Sequence, residues 1–154
     1  MYDVLKLENQ LCFPVYALSR KFTTMYQPFL AELAITYPQY LVMLVLWEHK
    51  TLSVKKIGEF LFLDSGTLTP LLKRLEKNNL VTRKRSEQDE RVVLISLTKN
   101  GNEMKIKAQH IPLDLNKQIQ IIKCLLNRDA KNSLIKRNYG SSSLTLYITI
   151  SINV

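Results

Sequence analysis

The 154-residue sequence has little of what metal centres, disulfide frameworks and membrane spans are built from. It holds two cysteines, Cys12 and Cys124, and in a reducing compartment both are thiols by default. A disulfide between them would be transient and redox-linked, not a structural staple. The two histidines, His49 and His110, are far apart in sequence, and no Cys-x-x-Cys, His-Glu-x-x-His or phosphate-loop pattern is present, so neither a metal site nor a cofactor is expected. The longest apolar stretch, Tyr40 to Trp47, falls well short of the roughly 20 residues that a spanning helix needs, so no membrane partner is expected. The N-terminus lacks the basic region and small-residue cleavage site of a secretory signal, and the expected location is the cytoplasm. Acidic residues are scarce as well. Thirteen Asp and Glu stand against 22 Lys and Arg, for a formal charge of +9, and a surface this basic attracts polyanions.

What is present is a periodic, mainly helical chain with 46% hydrophobic residues, enough for one core. From Lys6 to Leu33 apolar residues recur at helical spacing, with Pro14 and Pro28 marking a start, break or kink, so the segment reads as one long helix or two shorter ones. Thr36 before Tyr37-Pro38 caps a buried helix through Trp47. Ser53 caps a short helix with Val54, Ile57 and Leu61 on one face, and Asp64-Ser65 caps another. In the helix Ser65 to Lys77 the leucines 68, 71, 72 and 75 make one stripe, which leaves Thr67, Pro70, Lys73, Arg74 and Lys77 on the solvent side. Leu80 to Arg85 and Arg91 to Leu97 are strand-like around the polar run Ser86 to Glu90, a hairpin with a charged tip. Thr98 caps a helix to about His110, and after Pro112 another helical stretch runs from Asp114 to about Arg137. The remainder, 138–154, is uncharged after Ser143 and alternates with a period of two.

The fold class expected is therefore mainly α with a small β-hairpin wing: a winged helix-turn-helix. Its divisions are 1–35 for N-terminal dimerisation and sensor helices, 36–98 for the winged helix-turn-helix region, 99–137 for C-terminal dimerisation helices and 138–154 for an atypical tail. A helix-turn-helix places its second helix in the major groove of double-stranded DNA. Here Ser65, Thr67, Thr69 and Pro70 can meet base edges and thymine methyls, and Lys73, Arg74 and Lys77 can meet phosphates or guanine. On periodicity alone a plain solvated basic face is an equal reading, and the adjoining wing tips the balance. In that wing Arg85 and Arg91 are basic, Arg91 can enter a minor groove, and Asp89 can hold it extended by pairing.

Several segments in order carry a more specific likeness: Leu63-Asp-Ser-Gly-Thr-Leu-Thr-Pro-Leu-Leu-Lys-Arg-Leu-Glu76, Leu80-Val-Thr-Arg-Lys-Arg-Ser-Glu-Gln-Asp-Glu-Arg91, Ile95-Ser-Leu-Thr98, Leu11-Cys-Phe-Pro-Val-Tyr16 and Thr36-Tyr-Pro-Gln-Tyr-Leu41. Over roughly residues 6 to 113 the chain resembles the MarR family, in its organic hydroperoxide resistance regulator branch and staphylococcal relatives. The resemblance implies a homodimer on an inverted-repeat operator. It also implies that Cys12 is the reactive thiol, oxidised by an organic hydroperoxide, with Tyr26 and Tyr37 as its hydrogen-bonding tyrosines and Tyr16 near the pocket. Phenol donors stabilise a thiolate, the nucleophile towards peroxide, and Phe13, Phe22 and Phe29 would give a greasy lining. The sulfenic acid then condenses with a low-molecular-weight thiol or with the internal candidate Cys124. Beyond about Leu113 the likeness stops, and the sequence around Cys124 departs from the family pattern. Two other readings are open. A cysteine peroxidase shares the thiol chemistry but leaves the basic helix and wing unexplained. A regulator released by a small phenolic ligand would not need Cys12.

Overall fold

The computed structural model describes residues 3–120; Cys124, the part of the helix expected from residue 121 to Arg137 and the tail 138–154 lie outside the described residues. Two compact units divide at Pro112, Met1–Pro112 and Leu113–Val154. In the second, the described part is helical and carries an exposed Lys117–Asp114 pair at 2.9 Å.

After two short 3-10 turns, the first unit runs α1 (Cys12–Glu32), α2 (Tyr37–His49), β1 (Thr51–Ser53), α3 (Val54–Leu61), α4 (Ser65–Lys77), β2 (Val81–Arg85), β3 (Val93–Leu97) and α5 (Lys99–Ala108). Helix α1 is one helix of 21 residues. Pro14 does not divide it because it lies in the first turn, where its missing N–H has no intrahelical partner to lose. Pro28 leaves the Thr24 carbonyl without its usual donor, yet the helix continues to Glu32. Among the described residues no single helix is long and apolar enough to cross a membrane.

The expected caps are in place. Gln39 at the third position of α2 accepts from the Thr36 amide at 2.8 Å and from its hydroxyl at 3.1 Å, which satisfies the buried Gln39 amide oxygen. Ser53 Oγ accepts from Lys56 N–H, Asp64 Oδ1 from Thr67 N–H and Thr98 Oγ1 from Gly101 N–H. Because these bonds satisfy donors that the helices cannot, each helix starts where its cap residue stands.

Among the described residues the sheet has three strands, not the two of a lone hairpin, in the order β1-β3-β2 and antiparallel throughout. Thr51 lies opposite Ser96 and Ser53 opposite Leu94, while Val81 faces Leu97 and Arg85 faces Val93. Around it the core gathers Val42, Met43 and Leu46 of α2, Ile57 of α3, Leu68, Leu72 and Leu75 of α4, and Val81 and Ile95 of the sheet. The leucine stripe of α4 is thus its buried face.

Two glycines let these elements approach. A Cβ on Gly58 would sit 2.6 Å from the Leu63 carbonyl oxygen and 3.3 Å from Leu68 Cδ1, so the absent side chain is what lets α3 meet the start of α4. A Cβ on Gly101 would collide with the Leu80 carbonyl oxygen. Gly101 also accepts the buried Trp47 indole N–H at 2.8 Å, and Lys105 of the same helix donates to the Trp47 carbonyl at 3.1 Å. Together these fasten α5 to the C-terminal end of α2, where a cation is favoured by the helix dipole. Gly101→Ala is expected to cost about 2 kcal/mol by overpacking, read as a lower denaturation midpoint at unchanged m-value.

Candidate functional site

Helix α4 presents its polar face as the periodicity requires. Ser65, Thr67, Pro70, Lys73, Arg74 and Lys77 are exposed, and Thr69 is half-buried. The hydroxyl protons of both threonines are already committed. Thr67 Oγ1 donates to Asp64 Oδ2 at 2.7 Å and Thr69 Oγ1 to the Ser65 carbonyl at 2.6 Å. The Asp64 carboxyl is held below the usual carboxylate range, first by the Thr67 hydroxyl and then by the Thr67 amide, so it accepts at neutral pH. What the two threonines can still offer outward is acceptor lone pairs and methyl groups, a finer statement than sequence allows.

The wing is closed by Ser86 N–H to the Val92 carbonyl at 2.8 Å and Val92 N–H to the Asp89 carbonyl at 2.9 Å. Asp89 Oδ1 accepts the Arg91 backbone N–H at 2.9 Å. The expected pairing of Asp89 with Arg91 is thus made through the backbone: the carboxylate shapes the loop, and the ion pairs among the described residues leave the Arg91 guanidinium free. Arg85 and Arg91 are exposed at this end of the hairpin. At its base Arg83 reaches Glu76 of α4 at 3.6 Å, linking the ribbon to the helix.

Cys12 is a free, exposed thiol at the first residue of α1. Tyr16, one turn on, is 61% exposed, and Phe13 and Phe22 are also exposed. Tyr26 and Tyr37 are brought together, with ring centroids 4.9 Å apart, because Ala34 takes a left-handed conformation and turns α1 into α2. Tyr40 joins them 5.9 Å from Tyr26 and stands edge-on to Trp47. By sequence Tyr40 is only a core residue of α2, since nothing local separates a core tyrosine from one in a cluster of tyrosines. Phe29 packs against the core, edge-on to His110. Cys12 is not brought to this cluster within its own chain. Fourteen residues of continuous helix separate it from Tyr26, about 21 Å at ~1.5 Å per residue.

Burial, and next the neighbouring Tyr37 phenol, raise the Tyr26 pKa; burial, then Tyr26 and Tyr37, raise that of Tyr40. Both phenols therefore remain protonated donors at neutral pH. A neutral form favoured by folding gives stability that is whole below the unfolded value of about 10 and is lost as pH rises through the raised folded values. Tyr40→Phe is expected to flatten the alkaline fall in Tm between about pH 9 and 12, with little change at pH 7.

An open cleft between α2 and α5 is lined by Tyr40, Leu44, Trp47 and Lys105, but its one cation is already bonded to the Trp47 carbonyl. That arrangement gives little to an anionic phenolic ligand.

The model of the transcriptional regulators SarA and Rot matches residues 24–108, from the tyrosine cluster through the wing to the end of α5. The chain belongs to the SarA/Rot family of transcriptional regulators. It is 63% identical over 120 residues to an organic hydroperoxide resistance transcriptional regulator of Bacillus subtilis, covering 76% of this chain and 82% of that relative. As a SarA/Rot-family chain it also superposes on a solved structure described as reduced AbfR bound to DNA, with a TM-score of 0.67 at 39% identity, covering 82% of this chain and 92% of that one. A structure described as disulfide-formed AbfR matches with a TM-score of 0.58 at 42% identity, over 78% of this chain and 92% of that one. The winged helix-turn-helix and the peroxide-resistance branch expected from the sequence are thereby borne out.

Proposed function

We propose that this chain is a peroxide-sensing transcriptional repressor that binds operator DNA as a dimer while Cys12 is reduced and lets go when Cys12 is oxidised. The observation that carries the reading is one compact unit holding both an exposed thiol at the head of α1 and a basic recognition helix with its wing. The relatives named for peroxide resistance and for a reduced, DNA-bound state support it.

The dimer is supported by an apolar surface that the described residues leave exposed. Leu11, Val15, Tyr16 and Leu18 of α1 and its lead-in are exposed, and a contiguous face of this kind marks an interface. A second copy would also answer the separation of Cys12 from Tyr26 and Tyr37. Tyr26 lies about 21 Å from Cys12 along α1 at ~1.5 Å per residue, and Tyr37 lies beside it, so these phenols would reach the sulfur from the partner. A two-fold dimer then matches an inverted repeat, one recognition helix and one wing to each half-site.

In the proposed reaction the Cys12 thiolate attacks the distal peroxide oxygen. The O–O bond breaks, the alkoxide leaves and takes a proton from solvent to become an alcohol, and a sulfenic acid remains, which condenses with a low-molecular-weight thiol to give a mixed disulfide and water. Cys124 is kept as an alternative resolving thiol. Each thiol is oxidised once per signal, so the chain is a sensor and not an enzyme; it needs no cofactor or metal, and it works in the cytoplasm where its operator is. The direct test is a gel shift with the DNA upstream of its own gene. Reduced protein should retard the duplex, and protein treated with an organic hydroperoxide should not.

Thr67 and Thr69, with their protons spent, would read amino groups or thymine methyls, and Lys73, Arg74 and Lys77 would hold phosphates.

A further inference from the structure

The turn between α3 and α4 is built around an unfavourable residue. Phe62 closes α3 in the left-handed region, at φ 54° and ψ 40°, and its side chain is 95% exposed. The conformation is imposed by the turn. The Phe62 and Leu63 amides both donate to the Gly58 carbonyl, and the Leu63 carbonyl rests where a Cβ on Gly58 would be. A helix ending this way favours glycine or asparagine, because any Cβ in the left-handed region crowds the following carbonyl. The end of α4 follows that preference with Asn79 at φ 55°. At residue 62 the chain instead carries a large aromatic ring that packs on none of the described residues, so folding is served neither by its backbone conformation nor by its exposure.

The position explains what the ring can touch. Phe62 stands two residues before Asp64, the cap of the recognition helix, and continues into the exposed run Asp64, Ser65, Gly66 and Thr67. A major-groove helix enters the DNA by its N-terminal residues, so the turn just before it lies against the rim of the groove. The turn is pinned by the two bonds to Gly58, so the ring is presented from a backbone position fixed before binding. We infer that Phe62 is an apolar contact residue for operator DNA, packing on deoxyribose or thymine-methyl surface at the edge of the half-site. This rests on the DNA-binding reading above and adds to it a residue that carries neither charge nor hydrogen bond.

The inference makes stability and binding move in opposite directions. Phe62→Asn relieves the backbone and removes the ring, so the full-length protein should melt at the same temperature or about 3 °C higher. Its affinity for a duplex of the DNA upstream of the gene should fall roughly tenfold, the worth of covering much of one aromatic ring. The slope of log affinity against log salt should stay as in wild type, because no phosphate contact is lost. Phe62→Tyr, which keeps the ring, should keep the affinity. Wild-type protein that binds the duplex alongside a Phe62→Asn protein of equal affinity overturns the inference and leaves the repressor reading intact. So does an affinity loss traced by sedimentation to a weakened dimer, which would place the ring on a second copy. Wild-type protein that binds no duplex overturns both.

Discussion

Cys12→Ser protein is expected to stay on its operator at hydroperoxide concentrations that release the wild type completely. Serine keeps the size and hydrogen-bonding pattern of the reduced side chain but has no thiolate to attack a peroxide. The structure adds a reason why oxidation should matter so far from the DNA. Cys12 opens a single 21-residue helix that leads, through the turn at Ala34, into the tyrosine cluster and α2. Helix α2 is fastened to α5 by Trp47 and Lys105 and shares its core with α3 and α4. Atoms added at the head of α1, and the loss of the thiolate charge that partner phenols would face, would thus act on a continuous helix joined through α2 to the rest of the winged unit. In a dimer, a small repacking there changes the spacing of two recognition helices. Titrating a lipid-like hydroperoxide against wild type, Cys12→Ser and Cys124→Ser, with operator binding by fluorescence anisotropy, distinguishes the roles. Cys124→Ser should still respond, with lasting release requiring an added thiol. Release of Cys12→Ser at the wild-type peroxide concentration would place the sensor elsewhere.

Operator affinity is expected to fall about a thousandfold or more between about 50 and 200 mM salt, the behaviour of a protein that displaces several phosphate counterions. Lys73, Arg74 and Lys77 of α4, with Lys84 and Arg85 of the wing, are exposed and would supply the cations. Arg91→Ala should cost about tenfold in affinity, most at sites with a narrow minor groove, where the potential that attracts an inserted arginine is strongest. Asp89→Ala is expected to have a related effect for a different reason. Its carboxylate holds the Arg91 amide, so its loss loosens the loop that aims Arg91 and does not unpair a guanidinium. An affinity unmoved by salt would remove the basic face from the DNA interface.

Sequence alone determined the features that are settled within four or five residues. Caps at Ser53, Asp64 and Thr98, the leucine stripe of α4, the bounds Ser65–Lys77 and the hairpin all depend on i to i+3 or i+4 relations and on alternation, which the chain displays directly. Tertiary structure decided the rest. The strand Thr51–Ser53 is too short to announce itself and exists because β3 offers it an edge. Gly58 and Gly101 show their purpose only when the Leu63 and Leu80 carbonyls arrive beside them. The placement of Cys12 relative to Tyr26 and Tyr37 turned on one question that local rules left open, whether Pro14 and Pro28 divide the first helix. They do not, because Pro14 falls where no hydrogen bond is lost and the helix absorbs Pro28. An unbroken helix holds Cys12 far from its own tyrosines, and a separation set by rigid geometry over fourteen residues is invisible to any pattern that reads only neighbours.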